Sequence, residues 1–350
     1  MDISDFNFDL PDELIAQHAR SRGESQLVVL DRESGARHHT TIADLPSILV
    51  PGDVLVVNNT RVIAARLLGH RVPSGGAVEC LLLGAPPAGE PRLADALMHP
   101  GQKLKPGSLV RFEGSEGVLM GEVMARHFHG RRTIRLWAES GRDVDALIDA
   151  LGHVPLPPYI KRDDTSADRE RYQTVYARVR GSVAAPTAGL HFTPELLAAL
   201  EDRGVQRAEV TLHVGYGTFK PVRVAHVEDH VVDPEPYEVS EPAASAIARA
   251  RQEGRRVIAV GTTTTRALED AATRAGGRVA AGTGNASLFI YPGYRFRAID
   301  GLLTNFHLPS SSVLMLVAAF AGREKILAAY REAVEMKYRF YSYGDAMLIL

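Results

Sequence analysis

The sequence predicts an α/β main domain built on a mixed sheet, plus an inserted small β-barrel domain. Three observations lead there. The C-terminal half alternates strand-like and helix-like segments, the pattern of an α/β sheet. Residues 62–150 instead carry short β-branched or period-two runs broken by Gly and Pro, such as "AVECLLLG" and "GVLMGEVMARHFHGRRTIRLWA", which read as a meander or small barrel. At 350 residues the chain also exceeds what one small core needs. The expected division is a discontinuous α/β domain over 1–61 and 151–350, with the barrel inserted at 62–150.

Each element has its own signal. "PGDVLVV" at 51–57 reads as a turn and a buried strand that runs into "NNTRVIAARL". After the barrel, "DVDALIDAL" from 143 has helical spacing, and "PLPPYI" at 155–160 forces extended chain. "TPELLAALEDRG" is a helix with Thr193 as cap, Pro194 at the first helical position and Gly204 as stop. "AEVTLHVG" follows as a strand, "SEPAASAIARARQEG" as a helix, "RRVIAVG" as a buried strand and "TTTTRALEDAATRAGG" as a helix. "SLFIYPGYRF" is read as strand and turn, and "SSSVLMLVAAFAG" as a buried helix with a serine cap.

Composition narrows the function classes. A formal charge of −2 gives no global basic field, so a nucleic-acid partner needs a local patch. The lone Cys80, inside "VECLLLG", excludes disulfides and cysteine metal sites and fits a buried, inert thiol. The histidine spacings (His38 beside His39, His127 two from His129) and the lack of HExxH give no expectation of a metal. Neither GxGxxG nor GxxxxGK[ST] occurs. The N-terminal "MDISDFNFDLPDELIAQ" is acidic and mixed, unlike a signal peptide. "VLMLVAAFA" at 313–321 falls short of the roughly 20 residues that span a bilayer. The expectation is a soluble, cytoplasmic, monomeric protein.

Several stretches are suited to chemistry. "SVAAPTAGLHFT" holds His191 between a run of small residues (including Thr187 and Gly189) and a helix start; backbone packing and ligand contact both explain it. On the following strand His213 alternates away from Val210, Leu212 and Val214 and precedes Gly215, where glycines suit close approach of a ligand. "VIAVGTTTTRALE" puts Thr263 and Arg266 at a helix start after a buried strand, where α/β sheets bind ligands. A cation there calls for an anionic partner. His307 precedes a serine-capped helix, and Asp345 follows Gly344 as a general base or a turn former. "ARHFHGRR" at 125–132 is the densest basic stretch and, on a hairpin, would present Arg131 and Arg132 near one tip to an RNA backbone.

"FDLPDELIAQ", "PGDVLVVNNTRVIAARL", "LGHVPLPPYI", "RERYQTVYA", "GSVAAPTAGLHFT", "VTLHVGYGTFKPV", "VIAVGTTTTRALE", "FIYPGYRFRAIDGLLTNFHLP" and "KYRFYSYGDAMLI" together resemble, from end to end and in order, the S-adenosylmethionine:tRNA ribosyltransferase-isomerase family of queuosine biosynthesis. The resemblance implies an α/β domain with an inserted β-barrel. It also implies that S-adenosylmethionine is a co-substrate and ribosyl donor, with no cofactor or metal. The acceptor is 7-aminomethyl-7-deazaguanine at the wobble position of the tRNA anticodon stem-loop; the products are epoxyqueuosine-tRNA, adenine and methionine. Such chemistry needs a base, an acid for adenine, groups for the methionine carboxylate and a dry pocket. His191, His213, His307 and Asp345 are the acid–base candidates. Asn58, Asn59 and Arg61 of "NNTRV", with Thr187, Gly189, Gly215, Thr263 and Arg266, are the substrate-binding candidates. Three departures stand out. "VDPE" at 232–235 replaces a common "MHSE", so Asp233 stands where a histidine is usual. Thr264 takes the place of a usual serine, and Ser25-Gln26-Leu27 lacks a usual arginine. A methyltransferase and a non-catalytic RNA-binding module are the competing readings; the missing glycine-rich loop counts against the first.

Overall fold

The computed structural model describes residues 1–89, 91–139 and 141–350. Near the start, β1 (Gln26–Leu30) and β2 (Arg37–Thr41) pair as an antiparallel hairpin, followed by the short α1 (Leu45–Ile48) and by β3 (Val54–Asn58). The chain then leaves the main domain through β4 (Thr60–Val62).

Six strands close a barrel: β5 (Arg66–Val72), β6 (Ala77–Leu82), β7 (Arg92–His99), β8 (Leu109–Gly114), β9 (Gly117–Arg126) and β10 (Arg131–Ala138). Closure removes the free edges that short antiparallel strands would otherwise expose. Alternate residues such as Leu67, Cys80, Ala96, Val110, Leu119 and Ile134 fill its interior, and Val144, Leu147 and Ile148 of α2 (Val144–Leu151) pack on the same core. Asp143 caps α2 by accepting from the Ala146 N–H at 2.8 Å. Burial pushes the Cys80 thiol up to about 12, so it is an inert packing group. The chain leaves and returns at one place, because Arg66 and His153 exchange backbone hydrogen bonds of 3.3 and 2.8 Å.

The return passes α3 (Asp168–Arg171) and β11 (Val179–Ser182), which lies parallel to β4. The rest alternates α4 (Pro194–Asp202), β12 (Gln206–Leu212), β13 (Glu235–Val239), α5 (Glu241–Gln252), β14 (Val257–Val260), α6 (Thr262–Arg274), β15 (Gly282–Ala286), β16 (Gly301–Asn305), α7 (Ser312–Ala321), α8 (Arg323–Glu335) and β17 (Ala346–Ile349). A mixed nine-stranded sheet results, in the order β15-β13-β12-β3-β14-β16-β17-β1-β2. Its centre, β12-β3-β14-β16, is parallel throughout. Val54 and Val56 of β3 face the layer of α5 to α8, while Leu55 and Val57 face α1 and α4. Burial on both faces is why this strand reads as a continuous apolar run. The predicted fold class, a mixed-sheet α/β domain with an inserted barrel, is the observed one. Among the described residues no helix is long and apolar enough to cross a membrane.

Two local readings differ from the structure. "SLFIYPGYRF" contains no strand; the strand is the preceding "GTGNA" of β15, which pairs residue by residue with β13. Edge pairing supplied by β13 outweighs the poor intrinsic preference of Gly and Asn. The apolar residues after it serve packing instead, with the rings of Phe296 and Phe320 edge to face at 4.9 Å. The second difference is Arg132, expected at an exposed tip. It points inward and is 1% exposed. Its Nε donates to the Leu104 carbonyl (3.0 Å), Nη1 to that of Arg131 (2.9 Å) and Nη2 to that of Gly101 (2.5 Å). It ties the β7–β8 connection to β10 and cannot also reach an RNA. Arg132→Ala should therefore act on stability, leaving buried carbonyls unpaired at a cost of about 2–4 kcal/mol. Thermal unfolding, compared with that of Arg131→Ala, checks this: the Arg131 change should shift the midpoint little.

Candidate functional site

The four parallel strands at the centre of the sheet end close together, and a cavity opens at their carboxyl ends, the usual ligand position in open α/β sheets. One wall is the small-residue run Ala184 to Ala188; another is the start of α6, with Gly261, Thr262 and Thr263. Thr304, Asn305 and His307 come from the end of β16 and the loop beyond it. Tyr159, Tyr172 and Tyr341 close the remaining side. The small residues thus do two things. Ala184, Ala185 and Ala188 form cavity wall, whereas Gly189 packs behind it, where an added Cβ would stand 2.2 Å from the Tyr176 hydroxyl.

The cavity holds unspent hydrogen-bonding capacity. Among the polar side chains lining this space, Tyr172 is placed to bond with Ser342 and Ala185 and Asn305 with His191, whereas the buried Thr263 Oγ1 has no partner. An orphaned buried polar group is costly and uncommon in native proteins, so the Thr263 hydroxyl marks a place prepared for a polar ligand. None of the lining residues is Asp, Glu, Lys or Arg.

The acid–base candidates part company here. His307 alone of the four lines the cavity. Its Nε2 lies 2.8 Å from Thr304 Oγ1 and its N–H donates to the Tyr330 hydroxyl at 3.1 Å, which fixes the ring. Burial drives its pKa down to about 3, so it is neutral at pH 7. His191 sits behind the wall, 4% exposed, with Nδ1 2.8 Å from Ser25 Oγ. Burial lowers its pKa to about 4, against a smaller opposing pull from Asn305. His213 faces the other way, with Nδ1 2.8 Å from Thr60 Oγ1, which in turn lies 2.8 Å from Ser182 Oγ. That chain of side chains joins β4, β11 and the end of β12 at the neck of the barrel. Asp345 is fully buried and away from the cavity, accepting from the N–H groups of Gln26 (3.0 Å) and Arg339 (2.7 Å) and from Arg20 Nη1 (3.1 Å). Burial raises its pKa, and its bonds make it a brace between the C-terminal segment and β1.

Of the binding candidates, Thr187 and Thr263 line the cavity. Asn58 and Asn59 are committed within the protein: Asn58 Nδ2 donates to the Leu212 carbonyl at 2.9 Å, and Asn59 Nδ2 to Glu209 at 3.1 Å. Arg61 is exposed on β4. Arg266, expected to meet an anion such as a ligand carboxylate or a phosphate, is instead paired inside the protein with Glu235, at 2.5 Å and almost fully buried. Arg266 also donates to the carbonyls of Ala286 (2.8 Å) and Leu288 (3.2 Å), so its donors are engaged. Glu235 accepts further from the Gly215 N–H (2.8 Å) and Thr218 Oγ1 (3.1 Å), so Gly215 belongs to this ion-pair cluster. The cluster borders a second chamber that shares Thr218 and Val313 with the first. Asp233, in place of the family's usual histidine, pairs there with Lys220 at 2.6 Å. Arg131 is exposed at the barrel tip and pairs with Asp95, also at 2.6 Å, near an 88% exposed Phe128.

Sequence reasoning missed the lining tyrosines and the Glu235–Arg266 pair, whereas Asn305, read with Phe306 and His307 as a possible ligand loop, does line the cavity. Tyr159, Tyr172 and Tyr341 lie in three separate segments with no periodic signal, and only the strings quoted above mark them. Among the described residues no three His, Cys, Asp or Glu side chains gather as a metal site needs.

The two most strongly depressed histidines, His191 and His307, make stability pH-dependent. Both have folded pKa values below the usual 6.5, so the unfolded chain takes up protons first as pH falls. Their contribution is complete above about pH 6.5 and is lost progressively toward pH 4, at up to about 1.4 kcal/mol per pH unit for each. His191→Gln should flatten the fall of the unfolding midpoint between pH 6.5 and 4.5.

Known proteins match the chain over essentially its whole length. The family described as "Queuosine biosynthesis protein" matches residues 3–349. A protein of Heliobacterium modesticaldum called S-adenosylmethionine:tRNA ribosyltransferase-isomerase is 54% identical over 351 aligned positions, covering 100% of both chains. One of the same name from Moorella thermoacetica is 51% identical, again over the full length of both. The crystal structure of an S-adenosylmethionine tRNA ribosyltransferase from Thermotoga maritima is 36% identical, with a TM-score of 0.56 over 99% of this chain and 100% of its own. With a match from residue 3 to residue 349, the chain belongs to the queuosine biosynthesis protein family.

Proposed function

We propose that this protein is an S-adenosylmethionine:tRNA ribosyltransferase-isomerase. It moves the ribosyl group of S-adenosylmethionine onto 7-aminomethyl-7-deazaguanine at the tRNA wobble position and isomerises it, giving epoxyqueuosine-tRNA, adenine and methionine. The observation that carries the reading is the uncharged cavity with its partnerless Thr263 hydroxyl, in a chain that relatives of that name match over its full length. A cavity lined without charged side chains suits a reaction whose intermediates hydrolyse easily. The sulfonium acidifies the neighbouring 5′ carbon; a base takes that proton, adenine leaves as it is protonated, and the acceptor amine attacks the ribosyl carbon. Methionine departs as the epoxide closes. His307 is the acid–base group assigned here, because it alone of the four candidates lines the cavity. His191, His213 and Asp345 act as positioning or bracing groups. We further propose that the protein works in the cytoplasm, as a monomer and without a metal, and that the barrel tip helps to hold the anticodon arm.

Incubation with S-adenosylmethionine and a tRNA carrying 7-aminomethyl-7-deazaguanine, under chelation, should release free adenine and methionine and add mass to the wobble nucleoside. S-adenosylhomocysteine as product would establish a methyltransferase instead. His307→Asn should reduce adenine release by at least about 100-fold while S-adenosylmethionine still binds.

The tip has its own test. Phe128→Ala combined with Arg131→Ala should weaken tRNA binding by about 1–3 kcal/mol, through a lost stacking surface and a lost phosphate contact. Affinity for S-adenosylmethionine should not change. Unaltered tRNA affinity across a salt series would remove the tip from the interface.

A further inference from the structure

Resting on the reading that S-adenosylmethionine occupies this cavity, we propose that its carboxylate is bound at the amino-terminal end of α6 by the Thr263 hydroxyl and the free N–H groups of the first turn. The helix has thirteen residues, and its first internal backbone bond runs from the Thr265 N–H to the Gly261 carbonyl (3.1 Å). The N–H groups of Thr262, Thr263 and Thr264 are left without an acceptor inside the helix. Gly261, at φ +90°, occupies the cap position and brings no side chain to satisfy them. The hydroxyls of Thr264 and Thr265 turn back to the carbonyls of Val260 (2.6 Å) and Gly261 (3.1 Å). That of Thr263 does not: its residue is 8% exposed and lines the cavity, and its oxygen is buried without a partner. This buried side-chain hydroxyl, turned to the cavity with no protein partner, is an indication of a ligand separate from the helix terminus itself.

The chemistry selects a carboxylate. Backbone donors and the helix dipole favour a negative group at this end. Arg266, the obvious cationic partner, is spent on Glu235 and two carbonyls. No lysine or arginine lines the cavity, so a phosphate dianion would find no counter-charge, whereas a singly charged carboxylate needs only neutral donors. The co-substrate carries one such group, at its methionyl end. Binding it on α6 directs the sulfonium and the sugar away from the helix.

The test uses Thr263→Val, which keeps the shape and removes the hydroxyl, and Thr263→Ser, which restores it. The probes are S-adenosylmethionine, the product methionine, and methioninol, which lacks the carboxylate. Thr263→Val should weaken S-adenosylmethionine and methionine by roughly 10-fold or more, the worth of one hydrogen bond to a charged group, and leave methioninol and adenine unchanged. KM for S-adenosylmethionine should rise with little change in kcat, and Thr263→Ser should recover most of the loss. Equal weakening of methionine and methioninol, or no weakening of either, overturns the assignment. If the wild type still releases adenine and methionine in that event, the proposed activity stands and only the carboxylate site falls. A wild type that neither binds S-adenosylmethionine nor releases adenine takes both down together.

Discussion

The buried carboxamide of Asn58 is the bond on which the arrangement depends. β3 must end there so that the chain can leave for the barrel, yet its neighbour β12 continues to Leu212. A strand that loses its partner leaves an N–H and a carbonyl unpaired in the core. Asn58 supplies both missing groups: Oδ1 accepts from the Leu212 N–H at 3.0 Å, and Nδ2 donates to the Leu212 carbonyl at 2.9 Å. The side chain stands in for one more rung of the ladder. The same Oδ1 takes the Thr60 N–H at 3.2 Å, setting the direction in which β4 departs. Val214, two residues past Leu212, then falls into the cavity wall, and His213 falls on the opposite side with Thr60.

A second constraint works at the same carboxyl ends of the central strands, around the cavity. Elsewhere in the molecule buried charges are matched: Asp168 is held by Arg162, Thr165 and Tyr343, and Glu269 by two backbone N–H groups and Tyr294. Around the cavity the protein keeps its imidazoles neutral and withholds charged side chains altogether. A space of this kind adds little field of its own, so charges carried in by a ligand govern the local electrostatics. The charged pairs, Glu235–Arg266 and Asp233–Lys220, stand in the adjoining chamber.

Legibility in the sequence followed the range of the interaction. Thr193, Ser311 and Asp143 each bond to an N–H three residues on, and local spacing announced the helices they cap. β3 and β14 were legible because burial on both faces imposes an apolar run. β15 was not, since its Gly and Asn residues become a strand only through β13. Arg132 reads as a surface cation until its three carbonyl partners are seen, two of them about 30 positions away in the chain. The expected partner of Arg266 is a ligand or tRNA anion, but the actual one, Glu235, lies 31 residues upstream on another strand, where no local rule could select it. Chain position likewise says nothing about which histidine faces the cavity. His191, His213 and His307 each follow a large apolar residue (Leu190, Leu212 and Phe306), and the side each ring takes is decided by tertiary packing.

The backbone exchange between Arg66 and His153 has a consequence for how the molecule tolerates change. Because the barrel leaves and rejoins at adjacent points, the main sheet experiences it as a short loop, whatever its length. Neither its strand count nor its circumference is sensed by the ladder that positions the cavity. The barrel is therefore a module free to vary in size and surface among relatives at little thermodynamic expense to the reaction chamber, provided the two anchoring residues stay side by side.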